Sequence, residues 1–301
     1  GAEAISGERM AETILQEGDT CYGCAVRCKR VVEVDEGPYQ VDPRYGGPEY
    51  ESIAALGSYC GVDDLAAVAR ANQLCNMYGM DTIACGGTIA WAMDCFEKGL
   101  LTTEDTGGLE LTFGNAEAMV RMVEMIGERE GLGEVLGEGS AVAAEALGFG
   151  EDLVVAVKGR ELPAHMPQAK REMALLYAVN PGGADHTVSE HSTSYMRFPE
   201  GMATLDLLDP QPADVLNDEM VRYAVYSQHL ISAVDSVCVC KFVYGPAWQL
   251  YNVRQWIDAL QAITGWNVSV WELMKLGERR INLLRAFNAR EGVGVEADTL
   301  P

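Results

Sequence analysis

Apolar residues along this chain recur mainly three and four positions apart, the spacing that puts them on one face of a helix. Met10 and Ile14 share such a face, which predicts a helix over 7–17. The same pattern predicts helices near 49–57, 63–78, 83–98 and 115–130, then near 169–179, 212–234, 251–263 and 269–290. Asp63 is the expected cap of the third helix and Gly79 its stop, and Asn115 caps the helix at 115–130. Pro212 stands where helix starts favour proline. The last helix carries Leu273, Leu276, Ile281, Leu284 and Phe287 on one side. Strand patterns are short: Arg30 to Val34, ended by Asp35-Glu36-Gly37-Pro38, and Leu153 to Gly159. Gly131 to Gly150, rich in glycine and alanine, reads as short, closely packed helices. The class is mainly α, two helical domains with a few short strands. The proline-containing stretch 160–167 suggests a linker, so the expected domains are 1–160 and 161–301.

One stretch breaks the helical pattern and carries chemistry. Asp19-Thr20-Cys21-Tyr22-Gly23-Cys24-Ala25-Val26-Arg27-Cys28 spaces three thiols as Cys-x2-Cys-x3-Cys in a loop that contains a glycine. Such a loop can turn three sulfurs onto one centre. Three nearby thiolates repel one another, and a metal centre removes that cost. Tetrahedral iron or zinc needs a fourth ligand, and the best candidate is Cys240, in Asp235-Ser236-Val237-Cys238-Val239-Cys240-Lys241-Phe242. A zinc knuckle would bring a second Cys/His pair nearby, and Lys29 to Asp35 offer none, so a [4Fe–4S] cluster is the first reading and zinc or free thiols the second.

Charge narrows the partners. The net charge is −23, from 22 Lys+Arg against 45 Asp+Glu, which argues against nucleic acid and against anionic membrane surfaces. No apolar run is long enough to cross a bilayer, and no signal peptide is visible, which fits a cytoplasmic protein. The nine cysteines are odd in number, and Cys75, Cys85 and Cys95 fall within helical apolar patterns. They read as buried small hydrophobes in a reducing compartment rather than a disulfide scaffold. The glycine-rich 131–150 lacks a dinucleotide or P-loop pattern, so a nucleotide site is not expected there.

Five short motifs, in order, resemble one family. They are the cysteine triplet followed by Lys29-Arg30, Gly47-Pro48-Glu49-Tyr50-Glu51-Ser52, Gly79-Met80-Asp81-Thr82-Ile83, Gly183-Ala184-Asp185-His186, and Asp235 through Cys240-Lys241-Phe242. Together they resemble the tungsten-containing aldehyde:ferredoxin oxidoreductases, from about Ile5 to Glu291, over what would be the C-terminal two-thirds of a family member. The resemblance implies that Cys21, Cys24, Cys28 and Cys240 ligate a [4Fe–4S] cluster. Cys238 sits where the family more often has glycine, and a strand there would place it on the same face as Cys240, so Cys238 is the alternative fourth ligand; Cys240 is preferred because it matches the motif's cysteine. The resemblance further implies that Asp81 and Asp235 accept hydrogen bonds from a tungsten (or molybdenum) bis-pterin, a fit of carboxylate to aminopyrimidine edge. Taken alone, Asp81 is the N-cap of the helix that follows it. Glu51 and His186 are the implied acid/base pair beside the tungsten, with the glutamate as base toward water and the histidine as donor to an oxygen. His165, His191 and His229 receive no ligand role.

The implied reaction is aldehyde plus water to carboxylic acid in an anaerobe, with electrons passed to ferredoxin. A reductive aromatic acyl-CoA reductase is an alternative on the same scaffold. Two non-enzymatic readings are a cluster-only electron-transfer module and a zinc-stapled interaction protein. Nothing here matches the family's N-terminal pterin-binding domain, so that domain is an implied partner. The chain by itself is expected to bind the pterin cofactor poorly and not to oxidise aldehydes. A homodimer is compatible with the family.

Overall fold

The first helix ends sooner than its pattern suggests. In the computed structural model, which describes residues 1–245 and 250–301, α1 spans Gly7–Thr13, capped by Ser6 Oγ accepting from Arg9 N at 3.1 Å. Residues 15–17, expected to continue that helix, instead belong to β1, Leu15–Asp19, antiparallel to β2, Lys29–Val32. Gly18 weakens a helix here, and the paired strand supplies the backbone hydrogen bonds instead. The cysteine triplet lies in the connection between these two strands. Val32 is fully buried and anchors the ribbon to the core.

The chain divides into two units, Gly1–Ala164 and His165–Leu300. In the first, α2 is only Tyr50–Ile53 and runs on as a wider turn of helix over Ala54–Tyr59. Next come α3, Leu65–Tyr78, and α4, Thr82–Glu97. The cap of α3 is Asp64, which accepts from Ala66 N and Ala67 N, not the expected Asp63. Gly79, at φ +71°, closes α3 in the left-handed region, as expected for a glycine stop. Further on are α5, Ala116–Glu128, capped by Asn115, and the short α6, Leu132–Leu136, and α7, Ser140–Leu147. The strand expected over 153–159 shrinks to β3, Ala156–Val157, turning at Gly159 onto β4, Arg160–Glu161. The core of this unit is built from Leu74, Ile89, Trp91, Met93, Met119, Met122 and Val123, with the buried thiols of Cys60, Cys75, Cys85 and Cys95 among them. One contact sets how α4 lies: a Cβ at Gly86 would come 2.5 Å from the Ala55 carbonyl carbon, so only glycine lets these backbones touch.

The second unit comprises α8, Arg171–Val179, α9, Ser192–Arg197, α10, Pro199–Met202, α11, Asp218–Ser236, α12, Lys241–Tyr244, α13, Val253–Thr264, and α14, Val270–Arg290. α11 starts six residues later than Pro212 suggested, at an Asn217 cap. The side-chain acceptor at Asn217 fixes the start, which proline alone does not. Capping boxes open α13 (Asn252/Gln255) and α14 (Ser269/Glu272). α11 and α14 meet backbone to backbone: a Cβ at Gly277 would fall 1.8 Å from the His229 carbonyl oxygen, and Ser232 Oγ donates to Gly277 O at 3.0 Å. Leu273 is buried in this contact, while Leu284 and Phe287, expected on the same apolar face, are 40% and 60% exposed. No strand forms at 237–240; Cys238 is left-handed (φ +57°) and Cys240 is the residue before α12.

Candidate functional site

The thiol loop is shaped by its own hydrogen bonds. Cys24 N donates to Cys21 O at 3.0 Å, Thr20 Oγ1 reaches Cys24 O at 2.5 Å, and the Arg27 guanidinium closes onto Gly18 O. Gly23 and Arg27 adopt positive φ, which is how so short a loop reverses. Cys21 and Cys28 are exposed and Cys24 half-buried. Among the described residues no three His, Cys, Asp or Glu side chains converge on a metal-sized centre. The donor set itself, three accessible sulfurs on one turn, suits iron or zinc.

Elsewhere in the first unit, Glu51 and Asp81 sit on adjoining elements. Ser52 Oγ and Thr82 Oγ1, their immediate neighbours, are 2.8 Å apart. Glu51 is buried, and its Oε2 accepts from Ala164 N at 2.7 Å. Burial first, then the nearby Glu51 carboxylate, push the Tyr59 phenol far up. Asp81 caps α4, its Oδ1 accepting from Ile83 N (2.8 Å) and Ala84 N (3.0 Å). It also lines a cleft of about 470 Å³ with Cys85, Thr88, Gly139, Arg160 and Glu161. At the floor of that cleft the buried Glu161 Oε1 accepts from Ser140 N (2.8 Å), Ser140 Oγ (2.8 Å) and Thr88 Oγ1 (3.0 Å).

In the second unit His186 follows a built turn. Gly183 takes φ +77°, Asn180 Nδ2 donates to Gly183 O at 2.8 Å, and Asp185 Oδ1 accepts from Thr187 N at 2.8 Å. Sequence reasoning gave His165 and His191 no role, yet the structure gathers them with His186. Ring centroids are 5.1 Å apart for His165–His186, 4.2 Å for His165–His191 and 6.2 Å for His186–His191. Lys170 Nζ lies 3.2 Å from His191 Nδ1. An ammonium can only donate, so Nδ1 is the acceptor and the ring proton sits on Nε2. Burial, reinforced by Lys170 and the other histidines, pulls His191 down to about 2, so it is neutral at ordinary pH. The signal available in the sequence was density: three of its four histidines fall between 165 and 191.

Asp235 stands near the end of α11, 3.3 Å from Arg280 Nη1. Burial raises its pKa against the pull of Arg280. Cys238 and Cys240 are both exposed. Lys241, next to Cys240, donates to Ser189 O at 3.2 Å. Glu190, which no motif singled out, is fully buried, and burial lifts it to about 7.

The pattern described as "Aldehyde ferredoxin oxidoreductase, domains 2 & 3" matches residues 1–301. The chain belongs to this oxidoreductase family. It is 36% identical to the tungsten-containing aldehyde ferredoxin oxidoreductases of Pyrococcus abyssi and Thermococcus kodakarensis, over 98% of this chain and 46% of each relative. The chain thus spans about half the length of these relatives, not the two-thirds expected. It is 29% identical, over 88% of its length, to an aliphatic sulfonate oxidoreductase, WOR-like subunit, of Pyrococcus furiosus. The fold resembles the active site complex BamBC of benzoyl coenzyme A reductase in complex with 1,5 dienoyl-CoA, with a TM-score of 0.78, 19% identity, and coverage of 98% of this chain and 48% of that one. For the aldehyde ferredoxin oxidoreductase family, tungsten and an iron–sulfur cluster are the implied groups. The three accessible thiols fit the cluster by donor chemistry. Asp81 already has a structural task as a cap, so its fit to a pterin rests on its exposed position at the rim of the cleft. Among the described residues no helix is long and apolar enough to cross a membrane.

Proposed function

We propose that this chain is the cluster-binding and acid/base portion of a tungsten-dependent oxidoreductase that converts aldehydes to carboxylic acids and passes electrons to ferredoxin. The observation that carries the reading is the accessible Cys21/Cys24/Cys28 loop in a chain 36% identical to tungsten-containing aldehyde ferredoxin oxidoreductases. Cys240 is the fourth ligand on sequence grounds. When bound, a tungsten bis-pterin, held in part by Asp81 and Asp235, supplies two-electron oxidation chemistry that protein side chains lack.

The chain's own residues handle protons and position. Glu51, enclosed and oriented by Ala164 N, takes a proton from the water that adds to the aldehyde carbon. His186 donates a hydrogen bond to the aldehyde oxygen, where negative charge develops. Its ring is stacked on His165, which fixes its plane. Aldehyde and water together yield the acid, two electrons and two protons. The experiment has two parts. Iron and acid-labile sulfide should appear in the reconstituted protein and be lost on Cys24→Ala; neither above background in the wild type would overturn the cluster. In the intact enzyme, Glu51→Gln should abolish most turnover at unchanged tungsten content, and full activity in that variant removes Glu51 from the mechanism.

A second reading, the catalytic part of an aromatic acyl-CoA reductase, is favoured by the BamBC likeness alone, which concerns the fold. Turnover of an aromatic acyl-CoA thioester but of no aldehyde by the intact enzyme would select it. A cluster-only module would show no tungsten in the intact enzyme, and a zinc-stapled protein would be colourless and carry zinc.

A further inference from the structure

A helix leaves its last carbonyls without intrahelical donors. α8 finds them on a distant element. Val179 O, at its end, accepts from Arg285 Nη1 at 2.6 Å, and Pro181 O accepts from Asn288 Nδ2 at 2.8 Å. Both donors stand on α14, three residues apart and therefore neighbours on its surface. A cation at the carbonyl end of a helix is also favoured by the helix dipole. Arg285 is itself held in place. The two carboxylate oxygens of Asp298 accept from Nη1 at 3.2 Å and from Nη2 at 2.7 Å. This two-point contact fixes the plane of the guanidinium, and the Asp298 side chain is only 11% exposed.

These bonds bear on the stretch that leads to His186. The buried Asn180 lies between the two clamped carbonyls. Its Nδ2 donates to Gly183 O at 2.8 Å, and Gly183 N donates back to Asn180 O at 3.1 Å. Ala184 and Asp185 then lead to His186. The same helix steadies the neighbouring imidazole: Tyr177, fully buried on α8, donates to His165 O at 3.0 Å, and the His165 ring stacks on His186. Pro181-Gly182-Gly183 contains two glycines, whose backbones have the widest freedom, so this turn needs holding from outside. We propose that Arg285 and Asn288 are positioning residues: α14 clamps the turn after α8, and the clamp sets where the His186 imidazole stands. Asp298 keeps Arg285 in that role. The proposal rests on the reading of His186 as donor to the aldehyde oxygen. Arg285 and Asn288 act through the backbone of the turn.

The test has two parts. In the purified chain, amide hydrogen exchange is followed by mass spectrometry in the peptide that contains Gly183 and Thr187, with α11 as the reference for unfolding of the whole unit. Asn288→Ala and Arg285→Met should each speed exchange in the first peptide about tenfold and leave α11 at its wild-type rate. Where Arg285→Met loosens α11 as well, Asp298→Asn, which keeps Arg285 and removes its charge partner, takes its place. In the intact enzyme, Asn288→Ala should lower kcat about ten- to hundredfold with little change in KM for the aldehyde. In a His186→Gln background the same substitution should cause no further loss, because the group it positions is gone. A purely structural role predicts an equal loss in both backgrounds. Unchanged exchange in the turn, an unchanged kcat, or a full further loss in the His186→Gln background overturns the proposal. A His186→Gln enzyme with wild-type turnover fails at the earlier step and removes the reading of His186 itself.

Discussion

Replacing Glu161 by alanine should destabilise the first unit by about 3–5 kcal/mol. One oxygen of this residue, which is 4% exposed, collects three donors: Ser140 N, Ser140 Oγ and Thr88 Oγ1. Hydrogen bonds to a charged acceptor contribute about 1.5–3 kcal/mol each, and three in one network do not add fully. Ser140 opens α7, and the residue before it, Gly139 at φ +92°, offers no side-chain cap. Glu161 therefore caps that helix from a distant strand, and a negative charge at a helix start contributes about 0.3–1 kcal/mol more. The two hydroxyls can turn to other acceptors after truncation, which keeps the loss below the plain sum. Glu161→Gln keeps an accepting oxygen and gives up the charge, so it should cost about 1–2 kcal/mol. The assay is urea unfolding followed by fluorescence of Trp91, the only tryptophan before residue 165, whose indole N–H donates to Gly150 O at 2.9 Å. A loss below about 1 kcal/mol for the alanine variant, or equal losses for alanine and glutamine, would refute the trans-capping argument.

Other consequences are as direct. His191 falls from 6.5 to about 2 on folding, so below pH 6.5 the unfolded chain binds a proton that the folded chain refuses. Stability from this residue is complete above pH 6.5 and is lost on acidification, about 3 kcal/mol by pH 4.5. Glu190, raised from 4.5 to about 7, works in the opposite sense: its contribution is full below pH 4.5 and lost as pH rises through 7. The two slopes oppose each other between pH 4.5 and 6.5, so His191→Gln should flatten the acid side chiefly below pH 4.5. Melting temperatures of both proteins across pH check this, and parallel curves would contradict it. Gly277→Ala should cost about 1–3 kcal/mol or more, because the new methyl group meets the His229 carbonyl; a urea midpoint equal to wild type would show that α11 and α14 can separate freely. In the native protein free of metal, an aromatic disulfide reagent should titrate Cys21, Cys24, Cys28, Cys238 and Cys240 promptly. Cys60, pushed up to about 12 by burial, and the other core thiols should react only on unfolding, and prompt reaction of all nine would contradict the burial.

Local pattern made the long helices legible. α4, α5, α13 and α14 lie within a residue or two of their expected spans because period and cap agree in each. It failed where a distant partner decides. Leu15–Asp19 became a strand because Lys29–Val32 was there to pair with it. Leu284 and Phe287 share a helical stripe with Leu273 but lie beyond the buried contact. The thiol loop, Glu51, Asp81, His186 and Asp235 were visible as motifs. Glu190 and the grouping of His165 and His191 with His186 were not, since an isolated acid or imidazole carries no period and acquires meaning only from what the fold sets beside it.

The four sulfurs sealed among α2–α4 have a practical corollary for making this protein. While the chain is still open, each can form a wrong bridge with any of its fellows, and a bridged core cannot close to its native density. Once closed, the same sulfurs are withdrawn from exchange. Recovery of soluble material from denaturant should thus hinge on reductant during the collapse and scarcely at all afterwards.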